Sequence, residues 1–150
     1  MTPAELIVEQ KTLLQAFAET LDEEAGCLGE GKVDGERLSA LAALKQQQLH
    51  ELDRIEKQRR EYQQTMGFSL GSQGAEQFAQ ALDHHVTWQR TRQLAEQVRR
   101  SNRLNGHIIS ARLEHNQKAI DFLNRAIGGS VYGRNGESRH HGFGGISSKA

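Results

Sequence analysis

A single helical stripe between residues 98 and 127 constrains this chain more than any other feature of its sequence. The members of the stripe follow one another at steps of three or four residues, which is the spacing of one face of an α-helix. They are Val98, Asn102, Asn105, Ile109, Leu113, Asn116, Ile120, Leu123 and Ile127. Several are asparagines, and burying an amide without a hydrogen-bond partner costs about 1–3 kcal/mol. The stripe therefore predicts either polar partners on a neighbouring helix or a surface that receives another chain.

Glycine-rich connectors divide the sequence into three segments with helical periodicity. The predicted helices span residues 3–27, 34–66 and 73–127. We expect them to pack antiparallel as a coiled-coil-like, all-α bundle without a β-sheet, with Thr2 and Asp34 capping the first two helices. The first helix carries a heptad seam of Ile7, Leu14, Leu21 and Leu28. No proline interrupts the third segment, and its Gly106 predicts either close packing against another backbone or a bend.

The composition changes abruptly after Ala126. Residues 128–150 contain seven glycines and only scattered apolar side chains. Such a segment cannot bury enough apolar surface to offset the entropy of ordering its backbone. The sequence therefore predicts a helical domain over residues 1–127 and a flexible tail over residues 128–150.

No constellation of side chains in the sequence supports catalysis. His84 and His85 are adjacent and point about 100° apart on a helix, whereas two metal ligands on one helix stand three or four residues apart. Cys27 is the only cysteine, so no internal disulfide can form. Phosphate loops, nucleophile elbows and HExxH motifs are missing. We predict a protein that is not an enzyme and has neither a metal site nor a cofactor.

The N-terminal segment predicts a cytoplasmic location. It begins with an acidic amphipathic pattern, whereas a signal peptide needs a basic region followed by an apolar run. No stretch approaches the roughly 20 apolar residues that span a bilayer. We therefore expect no integral membrane segment.

The net charge of zero conceals an uneven charge distribution. Residues 1–36 carry nine acidic side chains against two lysines, whereas residues 90–112 carry six arginines against Glu96. The simplest interpretation is that these are solvated helix faces, which attract one another where helices pack. Nucleic-acid binding is the alternative. It usually requires a global basic excess and interleaved aromatic residues, and here only Trp88 lies nearby.

Two motifs in the C-terminal third carry a resemblance to a known family. One is N-x-x-N-G-x-I-I followed by L-x-x-N-x-x-x-I-x-x-L in residues 102–123, and the other is V-Y-G-x-x-G in residues 131–136. The matching residues are Asn102, Asn105, Gly106, Ile108, Ile109, Leu113, Asn116, Ile120, Leu123, Tyr132, Gly133 and Gly136. The acidic first helix and the Q-R-R segment at residues 58–60 agree in layout. With these features the chain resembles the FlgN family of flagellar type III export chaperones.

The resemblance implies a small, all-helical cytoplasmic chaperone without nucleotide hydrolysis. Its partners would be the amphipathic C-terminal helices of the flagellar hook-associated proteins, which form the hook–filament junction. Such a chaperone keeps these subunits unassembled and delivers them to the membrane export apparatus. The resemblance also implies that Tyr132 contacts the cytoplasmic domain of the flagellar export gate after cargo is bound.

The stripe and Tyr132 are the predicted partner-binding residues. We expect the cargo helix on the C-terminal half of the third helix, from Ile109 to Ile127, because a face that mixes Ile and Leu with Asn can accept an apolar helix while the amides set its register. Three alternatives stay open. The stripe could be an internal seam against the first helix, the chain could be a structural coiled coil that self-associates through it, and Tyr132 could cap the bundle end.

Overall fold

The chain folds into four α-helices in a computed structural model that describes residues 1–127, without the side chains of residues 115, 116 and 127. The helices are α1 (Pro3–Leu28), α2 (Gly35–Thr65), α3 (Ser72–Ala81) and α4 (His85–Ile127). Over the described range the structure contains no β-strand. The predicted all-α class is confirmed.

Local hydrogen bonds fix the starts of α1 and α2 where the sequence predicts them. The Thr2 hydroxyl accepts from the Glu5 backbone N–H at 3.1 Å, and the Thr2 backbone N–H donates to the Glu5 carboxylate at 2.8 Å. The second bond lowers the pKa of Glu5 below its ordinary value. At α2, the Asp34 carboxylate accepts from the Arg37 backbone N–H at 3.1 Å. Both predicted capping residues are confirmed.

The prediction of a single helix over residues 73–127 is wrong, because the chain breaks between α3 and α4. Asp83 has a φ of 59°, in the left-handed region. Its N–H donates to the Gln80 carbonyl at 3.0 Å, and the His84 N–H donates to the Ala79 carbonyl at 2.8 Å. These two bonds form a Schellman motif, which usually has glycine at the left-handed position. Aspartate tolerates that conformation, so neither glycine nor proline marks the break in the sequence.

The three long helices form a thin bundle in which α1 packs against both α2 and α4. The chain runs up, down and up, so α2 is antiparallel to its neighbours while α1 and α4 run parallel. Three apolar clusters follow one another along the bundle. The first joins Ile7, Ala75, Phe78, Ala79 and Trp88; the second joins Leu14, Phe17, Leu21 and Val98; the third joins Cys27, Leu28, Leu38, Leu41 and Ile109. All four residues of the predicted heptad seam of α1 are buried.

The helix α4 is much longer than the bundle that holds it. Its 43 residues extend over about 64 Å, whereas the 26 residues of α1 extend over about 39 Å. The last residues of α1, Cys27 and Leu28, lie against Ile109. The remaining turns of α4, which stays helical through Gly106, therefore project beyond the end of α1.

Candidate partner-binding site

Asn105 lies inside the bundle, where its amide joins α4 to α1. The side chain is 2% exposed, and its Nδ2 donates to the Leu21 carbonyl and to Glu24 Oε1, both at 3.0 Å. The buried amide thus has the polar partners that its burial requires. Its two bonds fix the register of α4 on α1.

A buried ion pair extends this contact to α2. The Lys45 ammonium lies 3.2 Å from Glu24 Oε1, and both side chains are buried. Glu24, Lys45 and Asn105 therefore link all three long helices at one level of the bundle. The sequence analysis missed this group because it treated the acidic residues of α1 as solvated. A signal was present, since Glu24 stands three residues after Leu21 and four before Leu28 on the buried face.

A second polar cluster joins the helices near the other end of the bundle. Arg59 of α2 is buried, donates to the Glu56 carboxylate at 2.6 Å and lies 4.7 Å from the centre of the Trp88 ring. Gln10 of α1 donates to the same carboxylate at 2.8 Å. Arg59 also bonds to Gln63, which in turn donates to a carbonyl of the α2–α3 connection. The interior of this bundle is thus held at two levels by polar side chains.

The first half of the predicted stripe forms the seam between α4 and the other helices. Val98, Asn105 and Ile109 are buried, and Asn102 is half-buried. Leu113 is half-buried against the cluster at the end of α1. For these positions the alternative of an internal seam describes the structure.

The second half of the stripe lies on the projecting part of α4, which we call the α4 extension (residues 117–127). Ile120 is 40% exposed and Leu123 is 55% exposed, and no other helix covers them. The side chains of Asn116 and Ile127 lie outside the described residues, as does all of Tyr132. Within the described part of the chain, the structure thus brings together Ile120 and Leu123 on an open face.

Phe122 widens this open face beyond the predicted stripe. It is 65% exposed and lies about 100° from Leu123 around the helix, so a search for one narrow stripe misses it. The exposed Ala119 and Ala126 fall between these directions. On the opposite side, Gln117 bonds to Asp121 at 3.0 Å and Lys118 pairs with Glu114 at 3.3 Å. The α4 extension is therefore an amphipathic helix whose apolar half is uncovered.

An apolar groove adjoins the start of the α4 extension. It has a volume of about 320 Å³ and lies between the α1–α2 connection and α4. The groove is lined by Leu28, Gly31, Lys32, Val33, Gly35, Leu38, Ile109, Arg112 and Leu113. Arg112 donates to the Glu30 carbonyl at 2.8 Å and so ties the connection to α4. Because Leu113 belongs both to the groove and to the stripe, groove and open face form one continuous apolar surface.

The described residues offer little to a cofactor or to covalent chemistry. They contain no group of three or more His, Cys, Asp or Glu side chains placed to hold a metal ion. Burial raises the pKa of the Cys27 thiol, which keeps it protonated and weakly nucleophilic. None of the described helices is long and apolar enough to cross a membrane.

Comparison with known proteins places this architecture in a family. The family model for FlgN protein matches residues 1–140. The chain belongs to the FlgN family. This family is of a flagellar chaperone type and is not a known enzyme family. The resemblance seen in the sequence is thereby confirmed, and the match covers all four helices of this FlgN protein.

Individual relatives are similar over most of their length. Flagella synthesis protein FlgN of Escherichia coli (strain K12) is 26% identical over 135 residues, which cover 90% of this chain and 88% of that protein. The protein of the same name from Salmonella typhimurium is 26% identical, with 90% and 89% covered. That from Yersinia enterocolitica is 27% identical over 131 residues, with 87% and 85% covered. No solved structure matches this FlgN chain.

Proposed function

We propose that this protein is a cytoplasmic export chaperone for flagellar hook-associated proteins. In this proposal the uncovered apolar half of the α4 extension binds the amphipathic C-terminal helix of the cargo. The observation that carries it is the exposure of Ile120, Phe122 and Leu123 on a helix that projects beyond the bundle of a FlgN family member. An amphipathic helix buries such a face by packing its own apolar face along it.

The size of the open face supports a helical partner. The 11 residues of the α4 extension are about 16 Å long, or roughly three turns. The groove beside Leu113 lengthens the apolar surface by a further pocket lined with Leu28, Val33 and Leu38. A cargo helix lying along α4 could place one apolar side chain in this groove and others against Ile120 and Leu123. By covering the cargo's apolar face, the chaperone would keep the cargo from assembling early.

The decisive experiment replaces Ile120 and Leu123 by Asp and measures binding of a hook-associated protein by isothermal titration calorimetry. Each replacement removes apolar burial worth about 1.5–3 kcal/mol and places a charge in the contact. We expect binding to be lost. Because both side chains are exposed in the free protein, the unfolding temperature should stay within a few degrees of that of the parent.

A matched control carries the same change of charge on another helix. Gln46→Asp and Gln47→Asp add two negative charges on the exposed side of α2 and should leave cargo binding intact. Unchanged binding by the Ile120→Asp, Leu123→Asp variant would refute the proposed site. Loss of a dimer instead of loss of cargo would favour the structural coiled coil that self-associates through the same face.

The delivery step of the proposal rests on Tyr132. A tyrosine beyond the end of α4 can enter a partner's pocket with both apolar area and a hydroxyl. We expect Tyr132→Ala to weaken pull-down of the cytoplasmic domain of the export gate and to leave cargo binding unchanged. A large drop in melting temperature with normal gate binding would instead indicate that Tyr132 caps the bundle end.

A further inference from the structure

The outward side of α4 carries an arginine surface that cargo binding does not use. It consists of Arg90, Arg92, Arg99, Arg100 and Arg103, all of them exposed. None of the five pairs with an acidic side chain within 4 Å anywhere in residues 1–127. Glu96 is the one acidic residue within this run of α4. Five unpaired arginines over fewer than four turns form a dense local positive charge in a chain whose net charge is zero.

Two aliphatic side chains bracket the arginine surface. Val86 is 59% exposed and Leu104 is 60% exposed. They stand 18 residues apart, which is five full turns, so both point in the same outward direction about 27 Å from each other. Gln93 and Arg100 lie close to the line that joins them. The outward side of α4 thus presents arginines between two single apolar side chains.

The chemistry of this side separates the kinds of anionic partner. A partner helix would need a continuous apolar seam, but Gln93, Gln97 and Arg100 occupy that line between Val86 and Leu104. A single-stranded nucleic acid would need exposed aromatic rings on which bases stack, and the nearby Trp88 is buried. A flat anionic surface needs cations along its length and a few apolar side chains that enter it. Only the last requirement is met by the residues present.

We propose that the arginine surface binds the anionic phospholipid headgroups of a membrane, with Val86 and Leu104 inserted at the headgroup boundary. Guanidinium groups bind phosphate oxygens in a bidentate manner, which suits arginine better than lysine to this contact. Salt screens charges beyond about 8 Å at physiological ionic strength, so distant acidic residues of α1 do not cancel the local attraction.

The position of the arginine surface allows cargo and membrane to be bound together. Counting 100° per residue, Ile120 and Leu123 point to the side of α4 opposite Val86 and Leu104. A chaperone lying on a membrane through the arginine surface would therefore turn its open apolar face away from the lipid. Membrane binding would bring the loaded chaperone from three-dimensional diffusion to the surface that contains the export apparatus.

The test is co-sedimentation of the full chain with vesicles. Vesicles of phosphatidylcholine with about one third phosphatidylglycerol should bind the chain at low salt and release it at about 0.5 M NaCl, whereas pure phosphatidylcholine should not bind it. The triple variant Arg99→Glu, Arg100→Glu, Arg103→Glu should lose about 100-fold or more in affinity, at roughly 1 kcal/mol for each arginine removed. These side chains are exposed and unpaired, so the variant should keep the parent's circular dichroism and cargo binding.

Two further variants decide between the readings of a positive result. Arg54→Glu, Lys57→Glu, Arg60→Glu makes the same change of charge on the exposed side of α2 and should keep vesicle binding within a few-fold. Leu104→Ser should weaken vesicle binding several-fold while leaving binding of free inorganic phosphate or of a DNA duplex unchanged.

Four results would overturn the proposal: no sedimentation with anionic vesicles, equal losses in both triple variants, normal vesicle binding by Leu104→Ser, or tighter binding of the DNA duplex than of vesicles at the same salt concentration. Cargo binding is measured on the same variants. The membrane proposal and the chaperone proposal can therefore fail independently.

Discussion

The two halves of the stripe on α4 have the same spacing and similar side chains but opposite environments. Ile109 is 5% exposed at the end of α1, whereas Ile120, three turns further on, is 40% exposed. The difference arises because α1 ends at Leu28 while α4 continues to Ile127. An amphipathic pattern therefore states that a face will be covered, but it does not state whether the covering helix belongs to the same chain.

The largest expected effect concerns the buried ion pair on the bundle side of this comparison. Lys45→Met leaves Glu24 buried without its cation and should lower the free energy of unfolding by about 3–5 kcal/mol in urea titrations. The control is Arg37→Met, which removes the exposed partner of Glu23 and should cost less than about 1 kcal/mol. Similar losses for both variants would mean that the Glu24–Lys45 pair is solvated.

Truncation of one isoleucine in each half of the stripe tests the comparison directly. Ile109→Ala should lower the free energy of unfolding by about 2–5 kcal/mol, because it opens a cavity in the cluster around Leu28 and Leu38. Ile120→Ala should change it by no more than about 0.5 kcal/mol. Urea unfolding of both variants gives the difference, and equal losses would show that the α4 extension folds back onto the bundle in solution.

Hydrogen exchange sharpens the comparison along the helix backbone. Amides of the α4 extension have no tertiary cover, so they should exchange through local opening about ten times faster, or more, than the amides of residues 98–109. Adding the cargo helix should slow exchange in the extension and leave the bundle amides little changed. Uniform exchange along α4 would contradict the structural difference between its two halves.

The smallest effect is expected where α4 begins. Asp83 is held at a φ of 59°, a conformation that costs a residue with a Cβ about 1–2 kcal/mol. Asp83→Gly removes this cost but adds entropy to the unfolded chain, so the net gain should be up to about 1 kcal/mol in thermal unfolding. Gly67→Ala, at the matching position after α2 with a φ of 86°, should be destabilising instead. A loss of stability in Asp83→Gly would mean that its side chain contributes at this turn.

Much of the fold could be predicted from sequence because it depends on contacts between near neighbours. Thr2, Glu5 and Asp34 cap their helices through bonds that span three residues. Periodicity located the heptad seam of α1 for the same reason, since a side chain four residues away is on the same face. The candidate site was predicted in part, with Ile120 and Leu123 on the open face but without Phe122 or the groove.

The tertiary structure alone decided which polar residues are buried. Glu24 and Lys45 are 21 residues apart, and Glu24 and Asn105 are 81 residues apart. Their pairing depends on how α1, α2 and α4 align along the bundle, and no local rule fixes that alignment. The break at Asp83 is of the same kind, because α3 must turn there for Phe78 and Ala79 to pack on Ile7 and Trp88.

The sequence by itself determined that the chain is helical, where its first two helices begin and which face of α4 is apolar. These properties follow from hydrogen bonds and side-chain directions that repeat within one turn. Only the tertiary structure decided where that face leaves the bundle, because this depends on the end of α1, some 80 residues earlier in the chain. The open face of the α4 extension exists because two helices of different length start at the same end of the bundle.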